Sequence, residues 1–587
     1  MSRLVNRIIA FGKISEEENF DIQIKQWFPI AIIIGFVVGL VMGIFHIIIV
    51  MIGKLAVLLH PIILMISSSL VILFLYTRKF ENPKNNGITY VITKRHQEEL
   101  IPFDVGSKKF VTSSLSIGSG MPIGKEGPAL IIGSAIAGKI VRWAKIPENL
   151  QHQAITLGSA ASTGALFQAP FGSAVFACEV PYKEDADAPF LTAAFLSSVV
   201  ASVTAKSLVQ FYSSHITDVS FHLINNHKAA LDINFYTVFL AMVLGVLTGL
   251  VGRLFIEFYD FFQKRLQNYS AEQALAIGLG GFVGTMLVGV LLIPDLYLWN
   301  GISQFQEING LFDSIENEVI YVLILLIIFQ ILATTFIVGS GYPGGVFAPS
   351  LLVGALVGFL FASALNHNDP AIIGAWIIIS MSAAHAATTK TPIASVLLIL
   401  EITGLPNLVI PMILANVCAF IMSGPRSLYA GQLRSRDALI MRELKNYDQH
   451  EGFTVQDVMT KITKVDFFTV EDTYGSIVSR DDIDEYHDHP VVNSKDDMKL
   501  VGMVYEQNMI RAEEDSNPDL KVTEFLEKKF PVLYGDLTGK QALGLMLDYD
   551  VERAPVQDRD GNMIGMLSLR DIIRGHRTML GIEDTTA

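Results

Sequence analysis

The chain has 587 residues, 51% of them hydrophobic and 17% charged, with a mean hydropathy of +0.44 and a formal net charge of -14. Such hydropathy excludes an ordinary soluble enzyme and points to an integral membrane protein of several spans. Nothing in the charge pattern suggests nucleic acid as a partner, and two cysteines inside apolar segments, Cys178 and Cys418, exclude a disulfide framework or a cysteine-built zinc site.

In chain order, the opening stretch MSRLVNRIIAFGKISEEENF turns acidic after Lys13 and lacks an apolar core followed by small residues, so it does not read as a cleaved signal peptide. From Trp27 to Tyr76 the only full or potential charges are His46, Lys54 and His60, which predicts two spans of about 20 residues each. Comparable runs follow at Phe190 to Val209, Phe235 to Val251, Ala274 to Leu292, Val319 to Val338, Leu351 to Leu365 and, with interruptions, Ile372 to Ser423. Arg3, Arg7, Lys13, Arg78, Lys79, Lys108, Lys109, Arg426, Arg434 and Arg436 flank these runs and mark cytoplasmic edges, while the acidic residues concentrate in the last third.

The stretch GSGMPIGKEGPALIIG, Gly118 to Gly133, has the glycines and lysine of a phosphate-binding loop without its spacing. A Walker loop separates its first glycine from the Gly-Lys-Ser/Thr ending by four residues. Gly118 and Gly120 both miss that spacing from Gly124, and Glu126 stands where the hydroxyl would hold magnesium. A second copy gives the stretch its meaning. GSGYPGGVFAPSLLVG, Gly339 to Gly354, aligns with it without a gap as G-S-G-x-P-x-G-x-x-x-P-x-L-x-x-G. One inserted residue later, Ala169 to Glu179 answers Thr391 to Glu401 with P-x-x-S-x-x-x-x-x-E. The chain is therefore read as two homologous halves, with repeat motifs at 118–179 and 339–401.

Duplicated Gly/Pro breaks in apolar segments point to a transporter whose substrate site lies at the repeat interface. Pro128 and Pro349 fit the first turns of helices, and the glycines before them leave backbone amides uncovered. Helix N-termini carry partial positive charge and free N–H donors, so two that converge would bind an anion without a buried lysine. An ionisable residue in such a break, Glu126, is a functional candidate in its own right, set against plain capping of the helix near Pro128. No Ser/His, Cys/His or metal-ligand cluster lies in the spans, so an enzyme is not expected.

These residues resemble the CLC family of chloride channels and proton-coupled chloride exchangers. GKEGP at Gly124 to Pro128, GVFAP at Gly345 to Pro349 and PRSLYAGQL at Pro425 to Leu433 stand in the family's order and spacing. The resemblance implies an all-α polytopic membrane protein of two inverted repeats with broken half-helices, working as a homodimer. It implies that Glu126 is a gating glutamate competing with the anion, and that Gly124, Lys125, Gly127, Gly345, Val346, Phe347 and Ala348 surround the anion. The Tyr429 hydroxyl would close the cytoplasmic side.

Two departures bear on mechanism. NNGIT at Asn85 to Thr89 puts Asn86 where many members carry an anion-binding serine, so anion preference is left open. Val180, one residue past Glu179, stands where exchangers carry an inner glutamate that loads protons, so the expectation leans to uncoupled, channel-like conductance over exchange. His385, on a small-residue helix, is expected to be satisfied by a neighbouring helix, and no role is assigned to it.

Hydrophobicity drops after Met441, dividing the chain into a transport domain at 1–440 and a cytoplasmic α+β module at 441–587. Short β-branched strands, a turn at Asp558 to Asn562 and amphipathic helices resemble a tandem pair of CBS domains at about 455–510 and 522–579. There Ser568 and Asp571 fit a ribose-holding Ser-x-x-Asp element for an adenine nucleotide, and they fit an ordinary helix cap equally well. No other cofactor is expected. The expected partners are chloride or a similar anion, possible protons, membrane lipid and a second copy, in an inner or plasma membrane. A membrane-anchored nucleotide sensor is the remote alternative, disfavoured because a passive anchor needs no broken helices.

Overall fold

The structure is a computed structural model describing residues 27–59, 61–80, 87–97, 99–146, 151–187, 190–212, 231–266, 268–292, 319–367, 369–435, 453–478, 488–505, 508–509, 517–549, 551, 553–568, 571–572 and 575. They belong to two compact units, Ile22–Arg436 and a second that takes in Asp437–Ala587.

The first unit is helical. Its early helices are α1 (Phe28–Leu59), α2 (Pro61–Thr77), α3 (Gly87–His96) and α4 (Phe103–Gly118). The first repeat contributes α5 (Glu126–Trp143), α6 (Ala154–Phe167) and α7 (Pro170–Glu179), followed by α8 (Leu191–Tyr212), α9 (Phe235–Leu266), α10 (Ala271–Leu292) and α11 (Val319–Gly339). The second repeat contributes α12 (Phe347–Ala364), α13 (Pro370–Thr389) and α14 (Pro392–Thr403), and α15 (Val409–Met422) closes the bundle. Among the described residues seven helices are long and apolar enough to cross a membrane. Others, such as α6 and α14, are apolar but too short.

Small residues set how these helices meet, because lipid removes the hydrophobic drive for association and leaves close packing to do the work. Gly35, Gly39 and Gly43 on α1 lie against Ser197, Ala201 and Ala205 on α8. The same device recurs where Gly245 and Gly249 of α9 meet Ala415 and Ala419 of α15. Within the repeats, Gly133 of α5 abuts Gly158 of α6, and its counterpart Gly354 of α12 abuts Ser380 of α13. At each of these but Gly43, where the Leu208 side chain lies nearest, an added side chain would strike backbone.

The repeats also break in the same way. Helix α6 ends at Gln168 and α13 at Lys390, both left-handed, with φ of 55° and 60°. Pro170 and Pro392 then open the next helices in their first turns. Glu179, the last residue of α7, and its counterpart Glu401 in the last turn of α14 exchange caps. The Glu179 carboxylate accepts the Ile393 and Ala394 amides at 3.2 and 2.8 Å, and the Glu401 carboxylate accepts those of Phe171 and Gly172 at 3.0 and 2.6 Å.

The second unit contains α16 (Val455–Val458), α17 (Tyr474–Val478), α18 (Val522–Phe525) and α19 (Gly539–Asp548) with seven described strands. Strands β2 (Phe468–Thr469), β3 (His489–Val492) and β4 (Leu500–Val504) form one sheet, β2 parallel and β4 antiparallel to β3. Strands β5 (Leu533–Tyr534), β6 (Arg553–Gln557) and β7 (Met563–Ser568) repeat that topology, and β1 (Thr460–Lys461) joins β7 antiparallel. The halves interlock. The segment before the first half pairs with the second sheet through Thr460, and the segment before the second half pairs with the first sheet through Glu527 and Met503. Val492, Met503, Met563 and Met566 share one apolar cluster between the halves.

Candidate functional site

Helix α5 begins at Glu126 and α12 at Phe347, which are equivalent repeat positions. Neither helix is capped by its own N-cap side chain: Lys125 and Val346 occupy those positions without such a bond. First-turn amides are therefore available to an outside acceptor. The two starts are locked head to head. The Gly124 amide donates to the Gly345 carbonyl at 2.8 Å, and the Gly345 amide returns the bond at 2.7 Å, an antiparallel bridge between equivalent residues. A local two-fold thus passes between the motifs.

One side chain breaks that symmetry. The Glu126 carboxylate, fully buried, accepts the Phe347 amide on Oε1 at 2.5 Å. The carboxylate of one repeat thereby occupies the N-terminus of the other, where helix dipole and free N–H donors favour negative charge. Its Oε2 makes no hydrogen bond among the described residues. Glycine leaves room for it: a Cβ on Gly124 or Gly345 would overlap the carboxylate where it now sits. At Gly127 a Cβ would lie 3.3 Å from the α-carbons of both Gly345 and Gly87. Gly87 opens α3 with φ of 66°, so a third helix N-terminus reaches the same point. Ala348 follows Phe347 in the first turn of α12, and Lys125 is half-buried beside Glu126.

Tyr429 is buried, with its hydroxyl making no hydrogen bond among the described residues. Asn86 lies outside the described residues. Val180 follows the last turn of α7 and is buried, its carbonyl accepting from the Gln432 side chain at 2.9 Å. The site brings together Gly124, Lys125, Glu126, Gly127, Gly345, Val346, Phe347 and Ala348.

Sequence reading overlooked the aromatic layer beneath this cluster. The Phe347 ring stacks on Phe167 with centroids 4.7 Å apart and meets His385 edge-on at 4.4 Å, with Phe176 at 6.2 Å. His385 Nδ1 pairs with Ser395 Oγ of the neighbouring α14 at 2.6 Å. Apolar spacing alone cannot separate such rings from ordinary lipid-facing residues.

In the second unit, Ser568 and Asp571 are engaged with each other. The Ser568 amide and hydroxyl donate to Asp571 Oδ2 at 3.0 and 2.7 Å, and the Asp571 amide donates back to Ser568 Oγ at 3.2 Å. This is a reciprocal capping box. At the matching place in the first half, the Tyr505 amide donates to the Asn508 side chain at 3.0 Å. Among the described residues no group of three or more His, Cys, Asp or Glu side chains is placed to hold a metal.

Paired broken helices whose amides converge inside an apolar bundle define a membrane transport protein built to accept an anion. The chain belongs to the CLC family: the family model described as voltage gated chloride channel matches residues 68–424, more than half of the chain. A CBS domain model matches residues 522–576. The chain is 30% identical over 358 residues to the H(+)/Cl(-) exchange transporter ClcA of Vibrio cholerae serotype O1, spanning 58% of this chain and 69% of that protein. An uncharacterised protein of Methanocaldococcus jannaschii is 28% identical over 434 residues, spanning 72% of this chain and 98% of that one. Among solved structures, a eukaryotic CLC transporter matches with a TM-score of 0.57 and 18% identity over 94% of this chain and 98% of its own. A CLC-type fluoride/proton antiporter matches with a TM-score of 0.55 and 20% identity over 70% and 98%. At these identities the likeness to solved structures carries the fold alone. At the level the family defines, the function is CLC-type chloride transport.

Proposed function

We propose that chloride crosses the membrane through the convergence of α3, α5 and α12, and that Glu126 gates the passage by occupying the α12 N-terminus in the anion's place. The observation that carries this reading is the 2.5 Å bond from the Phe347 amide to Glu126 Oε1. A carboxylate and a chloride ion compete for the same donors, so the anion enters when the side chain is neutralised and leaves. Lys125 contributes positive potential, and Tyr429 bars the cytoplasmic side. Asn86 tunes which anion is preferred.

The proton has two readings, carried by different observations. Val180 offers no titratable group at the inner position, which favours uncoupled conductance. The relatives named H(+)/Cl(-) exchange transporters favour exchange, with water reaching Glu126 by a route that bypasses Val180. Proton flux in proteoliposomes under a chloride gradient, with no initial pH gradient and the voltage set by a potassium ionophore, separates them. Protons driven against their gradient, and not driven in Glu126→Gln, mean exchange; chloride flux alone means a channel-like pathway.

The protein works as a homodimer in an inner or plasma membrane, with the tandem CBS module cytoplasmic. Val203 on α8 and Ile410, Val417 and Ile421 on α15 are exposed apolar side chains, available to a second copy or to lipid. The capping box leaves the Ser568 hydroxyl and Asp571 Oδ2 committed to each other, so a nucleotide-regulated module must release that cap. Binding of ATP or AMP to the full-length protein, compared with Asp571→Ala, tests this; equal binding sinks the assignment.

A further inference from the structure

The segment Pro425–Arg434, which carries Tyr429, has no regular secondary structure of helix or strand length and is held by a set of specific hydrogen bonds. The Leu428 amide donates to the Thr388 carbonyl at 2.9 Å, and the Lys183 ammonium donates to the Pro425 carbonyl at 2.8 Å. The Lys183 amide donates to the Leu433 carbonyl at 2.9 Å. At the centre lies Gln432, buried to 6% exposure. Its Nε2 donates to the Val180 carbonyl at 2.9 Å and to the Thr389 carbonyl at 2.7 Å, while its Oε1 accepts from the Ser427 hydroxyl. Ser427 Oγ in turn accepts the Tyr429 amide at 3.0 Å. Only this amide orientation serves all three partners, because the reverse would set an oxygen against two carbonyls.

Val180 closes α7 of the first repeat and Thr389 closes α13 of the second. One side chain therefore ties both repeats' helix ends to the segment that carries Tyr429. We propose that Gln432 is a positioning residue, a latch that holds Tyr429 across the cytoplasmic side of the anion pathway. The inference rests on the reading of Tyr429 as the inner barrier. It also gives Val180 a use that needs no side-chain chemistry, since its carbonyl is one of the two latch points. Removing the amide strands two buried carbonyls and frees the Ser427–Tyr429 turn, so the barrier loosens while the bundle, held by its glycine contacts, stays folded.

The test is chloride efflux from proteoliposomes containing full-length protein. Gln432→Leu is expected to raise the rate about tenfold. Ser427→Ala, a milder variant that leaves both carbonyls bonded, is expected to raise it by less. The double variant Tyr429→Ala/Gln432→Leu is expected to match Tyr429→Ala alone, since both act on one barrier. A merely structural defect lowers efflux in every variant and shows no such non-additivity. Raised efflux in Tyr429→Ala with wild-type rates in folded Gln432→Leu and Ser427→Ala would overturn the latch and leave the barrier reading intact. Wild-type efflux in Tyr429→Ala would overturn the barrier reading itself. If Gln432→Leu fails to elute as a folded species, a wild-type rate in Ser427→Ala overturns the latch alone.

Discussion

Replacing Glu126 by glutamine changes one charge at the point where the two repeats meet. In the native protein the carboxylate accepts the Phe347 amide at 2.5 Å in a fully buried setting, a charge-assisted bond when the group is ionised. Hydrogen bonds to charged groups contribute about 1.5–3 kcal/mol, whereas neutral ones contribute about 0.5–1.5. A glutamine Oε1 can keep the bond but not the charge, so the seat weakens by about 1–1.5 kcal/mol, which is about tenfold in occupancy. Chloride then competes about tenfold better for the α12 N-terminus at neutral pH. Because glutamine does not titrate, the rate also becomes independent of pH. Chloride efflux from proteoliposomes, followed from about pH 5 to pH 8, reads both effects together. Native protein is expected to speed up on acidification; Glu126→Gln is expected to run fast and flat. A variant that is folded, elutes like the native protein and retains the native pH profile would refute the reasoning, because the titrating gate would then lie elsewhere.

Gly345→Ala should reproduce that loss of pH dependence by displacing the carboxylate, while Gly280→Ala in α10, where a Cβ meets nothing within 4 Å, should leave efflux unchanged; equal behaviour of the two would count against the seat. Glu179→Ala should lower stability in detergent by about 1–3 kcal/mol, because the buried Ala394 amide and the part-buried Ile393 amide at the start of α14 lose their acceptor. Glu401→Ala, whose carboxylate is more exposed, should cost less, and the reverse ranking would contradict the reciprocal-cap account. In the second unit, hydrogen bonds from the Asn562 side chain, then from backbone amides, hold the Asp558 carboxyl below its usual range. A carboxyl depressed by folding contributes stability above its unfolded value near 3.9, and that contribution is lost as pH falls through the lower folded value. The stability gap between native module and Asp558→Asn at pH 7, measured by urea unfolding, should therefore close below about pH 4; a gap that persists in acid would assign it to packing.

Much of this protein is legible without coordinates, and the reason is local. Long apolar runs have one stable solution in lipid, since each helix satisfies its own backbone, so composition alone marks α1, α9, α11 and α13 as membrane helices. The doubled G-S-G-x-P pattern carries the repeat, and proline and glycine chemistry carries the breaks, because φ restriction and a missing Cβ act within a few residues. The capping alternative for Ser568 and Asp571 was legible for the same reason. Only the tertiary structure decided what the breaks do to each other. Glu126 and Phe347 are 221 residues apart, and nothing in either motif states that one accepts the other's amide. The head-to-head Gly124–Gly345 bridge, the exchanged Glu179 and Glu401 caps, the aromatic layer under Phe347 and the Gln432 latch are all contacts between distant segments. Each depends on how closely glycine-lined helices approach, a property of the packed bundle that no single segment encodes.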